Sequence, residues 1–139
     1  MLIERAKILP AELLVGVDIS SAAIRAACAN RKVSGIKFAL IHGDALKFGS
    51  GRYDEVISNM PFGIRVSGHA QNERLYAAFV DRLCLLLEDG GYAFMLTQEK
   101  KLMCESLKAV PALRLVQEEV FESGGLSPSL YIIKKEHSV

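Results

Sequence analysis

The chain has 139 residues, a normal length for one domain with a real core. Half of them are hydrophobic and 24% are charged, which excludes a disordered segment or tail. A net charge of +1 neither requires nor excludes nucleic acid, and no apolar run approaches the roughly 20 residues of a membrane span.

Residues 1–9 carry a helical pattern with Leu2, Ala6 and Leu9 on one face, and Pro10 stops it. No capping residue precedes this helix, so the chain opens in mid-pattern. Charged residues Glu4, Arg5 and Lys7 and the lack of a cleavage motif argue against a signal peptide, so a cytoplasmic location is expected. Leu13 to Ile19 is a continuous apolar run, as in a parallel strand covered on both faces. Ser20 or Ser21 can cap a following helix through about Arg31, with Ala23, Ile24, Ala27 and Cys28 facing the sheet. Gly35 marks the exit, and Ile36 to Ile41 is the next strand, ending in His42-Gly43-Asp44-Ala45.

A turn at Gly49-Ser50-Gly51 precedes a third strand over 53–58, read as buried from Tyr53-Asp54-Glu55-Val56-Ile57. A stretch punctuated by Gly63 and Gly68 then leads into a long helix from about Asn72 to Glu88. Its stripe is Leu75, Phe79, Leu83 and Leu86, widened by Tyr76, Val80 and Leu87, and Asp89-Gly90-Gly91 ends it. Tyr92 to Thr97 is a further buried strand, and Glu99 to about Val110 an amphipathic helix closed by Pro111. Leu113–Phe121 and Ser129–Lys135, joined through Gly124-Gly125, form an antiparallel pair. Alternating strands and helices with a closing hairpin predict one α/β domain over 1–139, doubly wound around a mostly parallel sheet. Cys28, Cys84 and Cys104 are odd in number, widely spaced and in apolar helical contexts. Buried thiols are expected there, with no zinc site.

Chemistry-bearing residues fall where strands end, the edge at which α/β sheets bind ligands. Asp18 ends an apolar strand, where a carboxylate can accept hydrogen bonds from both hydroxyls of a ribose. The competing reading is a turn aspartate supporting the next helix. Ile19 would lie beside an adenine or simply pack in the core. Asp44 could accept from an adenine amino group, with the Ala45 amide facing a ring nitrogen, or merely close an Asx-type turn. Asn59-Met60-Pro61-Phe62 is the most specific signal. An exocyclic amine on a base is a poor nucleophile because its lone pair is delocalised into the ring. The Asn59 side-chain oxygen and the Met60 carbonyl could accept its two N–H bonds and localise that pair. Pro61 stiffens the turn, Phe62 can stack on the base for about 1–3 kcal/mol, and Gly63 permits close backbone approach. An ordinary loop with a core phenylalanine is the alternative. Arg52, Arg65, Lys100 and Lys101 lie near this edge and are solvated charges or phosphate contacts. His42 and His69 belong to no triad or metal pattern.

With those residues placed, the chain resembles class I S-adenosylmethionine-dependent methyltransferases, and within them the catalytic domain of the THUMP-linked RNA methylases of the guanine exocyclic amine. Gly16-Val17-Asp18-Ile19-Ser20 matches the family's acidic second-strand motif, Gly43-Asp44-Ala45 its adenine-side motif, and Asn59-Met60-Pro61-Phe62-Gly63 its catalytic loop. Gly90-Gly91 and Gly124-Gly125-Leu126 are also similar, and Met60, where DNA and protein amine methylases carry proline, favours the RNA subgroup. The resemblance implies a Rossmann-like methyltransferase fold, an S-adenosylmethionine cofactor held by Asp18, Ile19, Asp44, Ala45 and Asn59, and catalysis by Asn59, Met60, Pro61 and Phe62. Gly63 and Arg65 would face a tRNA or rRNA substrate.

One departure matters. The family's first strand ends in a glycine-rich loop around the methionine moiety of the cofactor, and this sequence has no counterpart. Met1-Leu2-Ile3-Glu4-Arg5-Ala6 resembles the helix after that loop. An N-terminally truncated domain is expected, lacking the first central strand between those ending at Asp18 and Asn59. Those two strands must then pair directly, leave a gap, or recruit a strand from a second copy or a complementing chain. Alternatives are an amine methyltransferase of DNA adenine or a protein amide, and a non-catalytic Rossmann-like subunit. A nicotinamide oxidoreductase would explain Asp18 but not Asn59–Phe62. The isolated chain is expected to bind S-adenosylmethionine weakly or not at all; micromolar affinity by calorimetry overturns that expectation.

Overall fold

Ser20 and Gly35 fix the first long helix from its two ends. In a computed structural model of the chain, which describes residues 1–49, 52–62, 69–122 and 124–137 (69 and 70 by backbone alone), Ser20 Oγ accepts the Ala23 amide at 3.3 Å and Gly35 closes the other end with φ 69°. The chain divides into two compact units, Met1–Phe48 and Gly49–Val139. Ser50 and Gly51 of the expected turn, and the stretch with Gly63, Arg65 and Gly68, lie outside the described residues.

In the first unit, helix α1 (Leu2–Ile8) has no side-chain cap, as its opening pattern implied, and Leu9 is extended at φ −143° before Pro10. Strand β1 (Val15–Asp18) pairs in parallel with β2 (Ala39–His42) across helix α2 (Ser21–Ser34). Both strands are shorter than expected. Ile36–Phe38 instead serve the helix exit, where Ser34 Oγ accepts the Ile36 amide and the Arg31 guanidinium donates to the Phe38 carbonyl at 2.8 Å. Full burial of the 13–19 run is not realised. Leu13 is exposed and β1 half-buried, since a two-stranded sheet cannot cover both of its faces. Ala23, Ile24, Ala27 and Cys28 do form the inner stripe of α2, yet only half-buried.

The main core lies in the second unit. Its sheet runs β3–β4–β6–β5, from β3 (Tyr53–Asn59), β4 (Leu87–Thr97), β5 (Leu113–Val120) and β6 (Ser129–Lys135). β3 and β4 are parallel, and β6 is antiparallel to both of its neighbours. Ala93, Met95 and Thr97 of β4 line up with Ile133, Tyr131 and Ser129 of β6, in that order, on one buried face. Helix α3 (His69–Leu86) covers it with Tyr76, Phe79, Val80 and Leu83, and α4 (Lys100–Lys108) adds Leu102, Met103 and Leu107. The α3 stripe is centred one residue later than expected, leaving Leu75 only half-buried.

β3 corrects the buried-strand reading. It is the sheet's edge, with Asp54, Glu55, Ile57 and Asn59 exposed, because β4 is its sole ladder partner among the described residues. β1 and β3 belong to different sheets, one in each unit. The three thiols are half-buried, not buried as expected. Among the described residues no helix is long and apolar enough to cross a membrane.

The end of α3 is the second correction. Helix passes into strand at Leu86–Leu87 without a turn, and Asp89-Gly90-Gly91 lies inside β4. The buried Lys135 ammonium takes over the stop. It donates to the Cys84 and Leu87 carbonyls at 2.9 Å each and pairs with Asp89 at 3.1 Å, filling the acceptors a helix end leaves open. The glycines serve a bulge, in which one residue between Tyr53 and Glu55 faces four between Leu87 and Tyr92. A Cβ on Gly91 would stand 3.0, 3.1 and 3.2 Å from the Glu88, Asp54 and Tyr53 carbonyl oxygens.

Those oxygens are backbone and cannot swing away. Gly91→Ala is therefore expected to destabilise the protein by about 1–3 kcal/mol, read as a lower urea midpoint at unchanged slope; a native midpoint contradicts the bulge assignment. Burial pushes the Tyr76 and Tyr131 phenols above the ordinary value of 10.0. A folded pKa above the unfolded one leaves stability intact below pH 10 and removes it as pH rises further. Absorbance at 295 nm should show two phenols, identified with Tyr76→Phe and Tyr131→Phe, ionising late and together with unfolding. Ionisation of both near 10 in the folded state contradicts their burial.

Candidate active site

A strand that ends at a sheet edge turns its last side chains and first loop amides toward solvent, and both units use that geometry. In the first unit the parallel ladder of β1 and β2 runs on by one bond, from the Gly43 amide to the Asp18 carbonyl at 3.0 Å. His42 Nε2 lies 3.0 Å from the Ile19 carbonyl and ties the two strand ends together. Asp18 Oδ1 accepts the Ser20 amide at 2.7 Å, leaving Oδ2 without a partner among the described residues. Asp44 Oδ1 accepts the Leu46 amide at 2.9 Å, and its carbonyl accepts the Lys47 amide at 2.9 Å. Both aspartates thus close Asx-type turns, the plainer reading of Asp44, and the Asp18 turn leads into α2. These turns occupy one carboxylate oxygen apiece and fix the direction of the other. Ile19 is 72% exposed, which excludes core packing and leaves an apolar side chain beside the two carboxylates' strand ends. Ala45 is half-buried.

In the second unit Asn59 is the last residue of β3, in register with Leu96 of β4. The Met60 amide continues the ladder to the Leu96 carbonyl at 2.9 Å, and the Met60 side chain is buried at 5% exposure. Its sulfur receives the Ser58 hydroxyl at 3.7 Å. Pro61 is exposed, but its carbonyl accepts the Tyr76 hydroxyl at 2.8 Å; Phe62 is half-buried. Tyr76 Oη also meets Thr97 Oγ1, which accepts the Glu99 amide at 2.9 Å. What the loop does not use is as informative. The Asn59 side-chain amide and the Met60 carbonyl have no partner among the described residues, although the segment carrying them is bonded on both sides of Met60. A donor–acceptor pair held in place and left unengaged at a strand end can hold a planar polar ligand.

Two site residues escaped the sequence reading. Tyr76 passed for part of the α3 stripe and Thr97 for a strand terminus. The available signal was a tyrosine in a fully buried stripe, whose hydroxyl must find a partner. Arg52 is a correction. It precedes β3, at the opposite end of the strand from Asn59, and pairs with Glu88 at 3.8 Å. Lys100 and Lys101 begin α4 just beyond Thr97, and Lys101 is an exposed side chain 3.9 Å from Glu105. Gly63 and Arg65 lie outside the described residues, as does the side chain of His69.

Residues 2–128 match the profile of the RMKL-like methyltransferase domain, UPF0020. The tRNA (guanine(6)-N(2))-methyltransferase THUMP3 of Bos taurus is 32% identical over 88 residues, covering 62% of this chain and 17% of that protein. The crystal structure of TrmN from Thermus thermophilus superimposes with a TM-score of 0.84 at 24% identity, over 96% of this chain and 40% of that one. SMU.776, complexed with SAH, gives 0.70 at 12% identity, over 89% of this chain and 39% of that one. At such identities these two structures establish a shared Rossmann-like fold. The chain spans 17% of the length of the curated relatives it matches. The profile runs through both aspartate turns and the Asn59–Phe62 loop alike, and the chain belongs to the family of RMKL-like methyltransferase domains.

Proposed function

We propose that this chain carries S-adenosylmethionine-dependent methylation of an exocyclic amine on an RNA base, with guanine N2 in tRNA or rRNA as the acceptor. The carrying observation is the unengaged Asn59 amide and Met60 carbonyl on a loop fixed through the Met60 amide and the Pro61 carbonyl. Two acceptors in that position take the two N–H bonds of the amine and localise its lone pair toward the methyl donor. Phe62 stacks on the base, and Gly63 and Arg65 extend the contact to RNA. No strong general base is needed, since the amine proton becomes acidic only after transfer; orientation and electrostatics carry the rate. The tRNA guanine-N2 activity for which the THUMP3 relative is named supports RNA and the N2 position.

Asp18 and Asp44 suit the adenosine half of the cofactor. Asp18 keeps one oxygen for ribose hydroxyls, the exposed Ile19 offers an apolar surface to adenine, and Asp44 with Ala45 faces its edge. When bound, S-adenosylmethionine supplies an electrophilic methyl group on a sulfonium. The profile match through both units supports reading 1–139 as one catalytic domain. The sequence holds no glycine-rich loop for the methionine half, so affinity in this chain alone is weak. The position of β3 at the end of its sheet, with β4 its one ladder partner among the described residues, supports strand addition from a complementing chain or a second copy, and it favours a non-catalytic partner subunit as the second reading.

Tritium from methyl-labelled S-adenosylmethionine at millimolar concentration should enter tRNA or rRNA as N2-methylguanosine. Asn59→Ala should lower that incorporation by about 100-fold or more. Label in DNA adenine would move the assignment to the DNA amine methylases; no label in any acceptor would favour the partner-subunit reading.

A further inference from the structure

The buried hydroxyls behind the loop have a defined direction. Tyr76 Oη carries one proton, and the Pro61 carbonyl can only accept, so that proton lies on the 2.8 Å bond to Pro61. Thr97 must then donate its own proton to Tyr76, while its oxygen accepts the Glu99 amide at 2.9 Å. The series runs from the first residues after β4, through two fully buried side chains, to the residue that follows Met60. Each of its members has one arrangement. Burial also pushes the Tyr76 phenol upward, keeping it neutral and donating throughout the physiological range.

We infer that Tyr76 is a positioning residue for the Asn59–Phe62 loop, acting through the Pro61 carbonyl and held in direction by Thr97. The ladder fixes the loop on one side, through the Met60 amide on Leu96, and the phenol fixes it on the other. Between the two lies the Met60 carbonyl, and before it the Asn59 side chain. Without the phenol, the Met60–Pro61 segment is held by the Leu96 bond and the proline ring alone, and the Met60 carbonyl is less firmly directed relative to Asn59. That the loop is set for an amine rests on the function proposed above. The fixing of the loop does not, and neither does its test.

Tyr76→Phe keeps the ring in its buried place and removes the hydroxyl alone. Hydrogen exchange of the full chain, followed by NMR at the Met60 amide, should speed up about five- to tenfold, the loss of one such bond. The Met95 and Ile133 amides of the central ladder serve as controls and should keep their protection within twofold. Thr97→Val should act in the same direction, and Thr97→Ser should return Met60 protection to the native value. Unchanged exchange at Met60 in Tyr76→Phe overturns the inference, as does acceleration equal to that of the controls, which marks a general packing role. A Thr97→Ser variant as loose as Thr97→Val also overturns it. Since the measurement needs neither cofactor nor RNA, its failure is separable from failure of the methyl-transfer reading.

Discussion

Backbone pairing along β4 is the constraint on which the rest depends. That strand alone has described ladders on both sides within reach of the loop, parallel to β3 and antiparallel to β6. Leu96 sets the height of Asn59, the Leu96 carbonyl takes the Met60 amide, and Thr97 orients the phenol that holds Pro61. The loop inherits its geometry from the strand it does not belong to. A polar ligand site of this kind works because the groups that fix it are different from the groups it presents.

Local chemistry was readable where one residue decides one feature. Ser20 and Gly35 bound α2 because a hydroxyl satisfies an orphan amide and a glycine tolerates a left-handed exit. The aspartates at strand ends were readable as positions, and in each one carboxylate oxygen closes a turn. Reading failed where a distant group supplied what a local one usually does. Asp89-Gly90-Gly91 has the composition of a helix stop, yet Lys135 performs the stop and frees the glycines for a bulge against β3. No window of sequence around residue 89 contains that information. Tyr76 and Thr97 are alike in this respect, since their bond spans 21 positions.

Apolar content misled for a different reason. Val56-Ile57 and Leu13–Ile19 look like strands with neighbours on each side, and hydrophobicity does not say which neighbour is missing. At β3 the consequence is a strand with one ladder partner among the described residues, and Ile57 in it is 37% exposed. β5 is the other edge of the same sheet. It carries a register shift between Leu115 and Gln117, and its Arg114 is tied to Glu136. Bulges and charges discourage further strand pairing, and β3 carries its own register shift between Tyr53 and Glu55 and the charges of Asp54 and Glu55.

The Lys135 ammonium has one more consequence, which concerns the order of assembly. Its bond to the Cys84 carbonyl links positions 51 residues apart, and β6, which carries it, sits between β4 and β5 although it is made after both. During synthesis the pairing of β4 and β5 through β6 therefore waits until β6 has left the ribosome. The bonds from Lys135 to the carbonyls at the end of α3 wait with it. Closure of the sheet and of its helix terminus is thus a single event, governed by the emergence of β6.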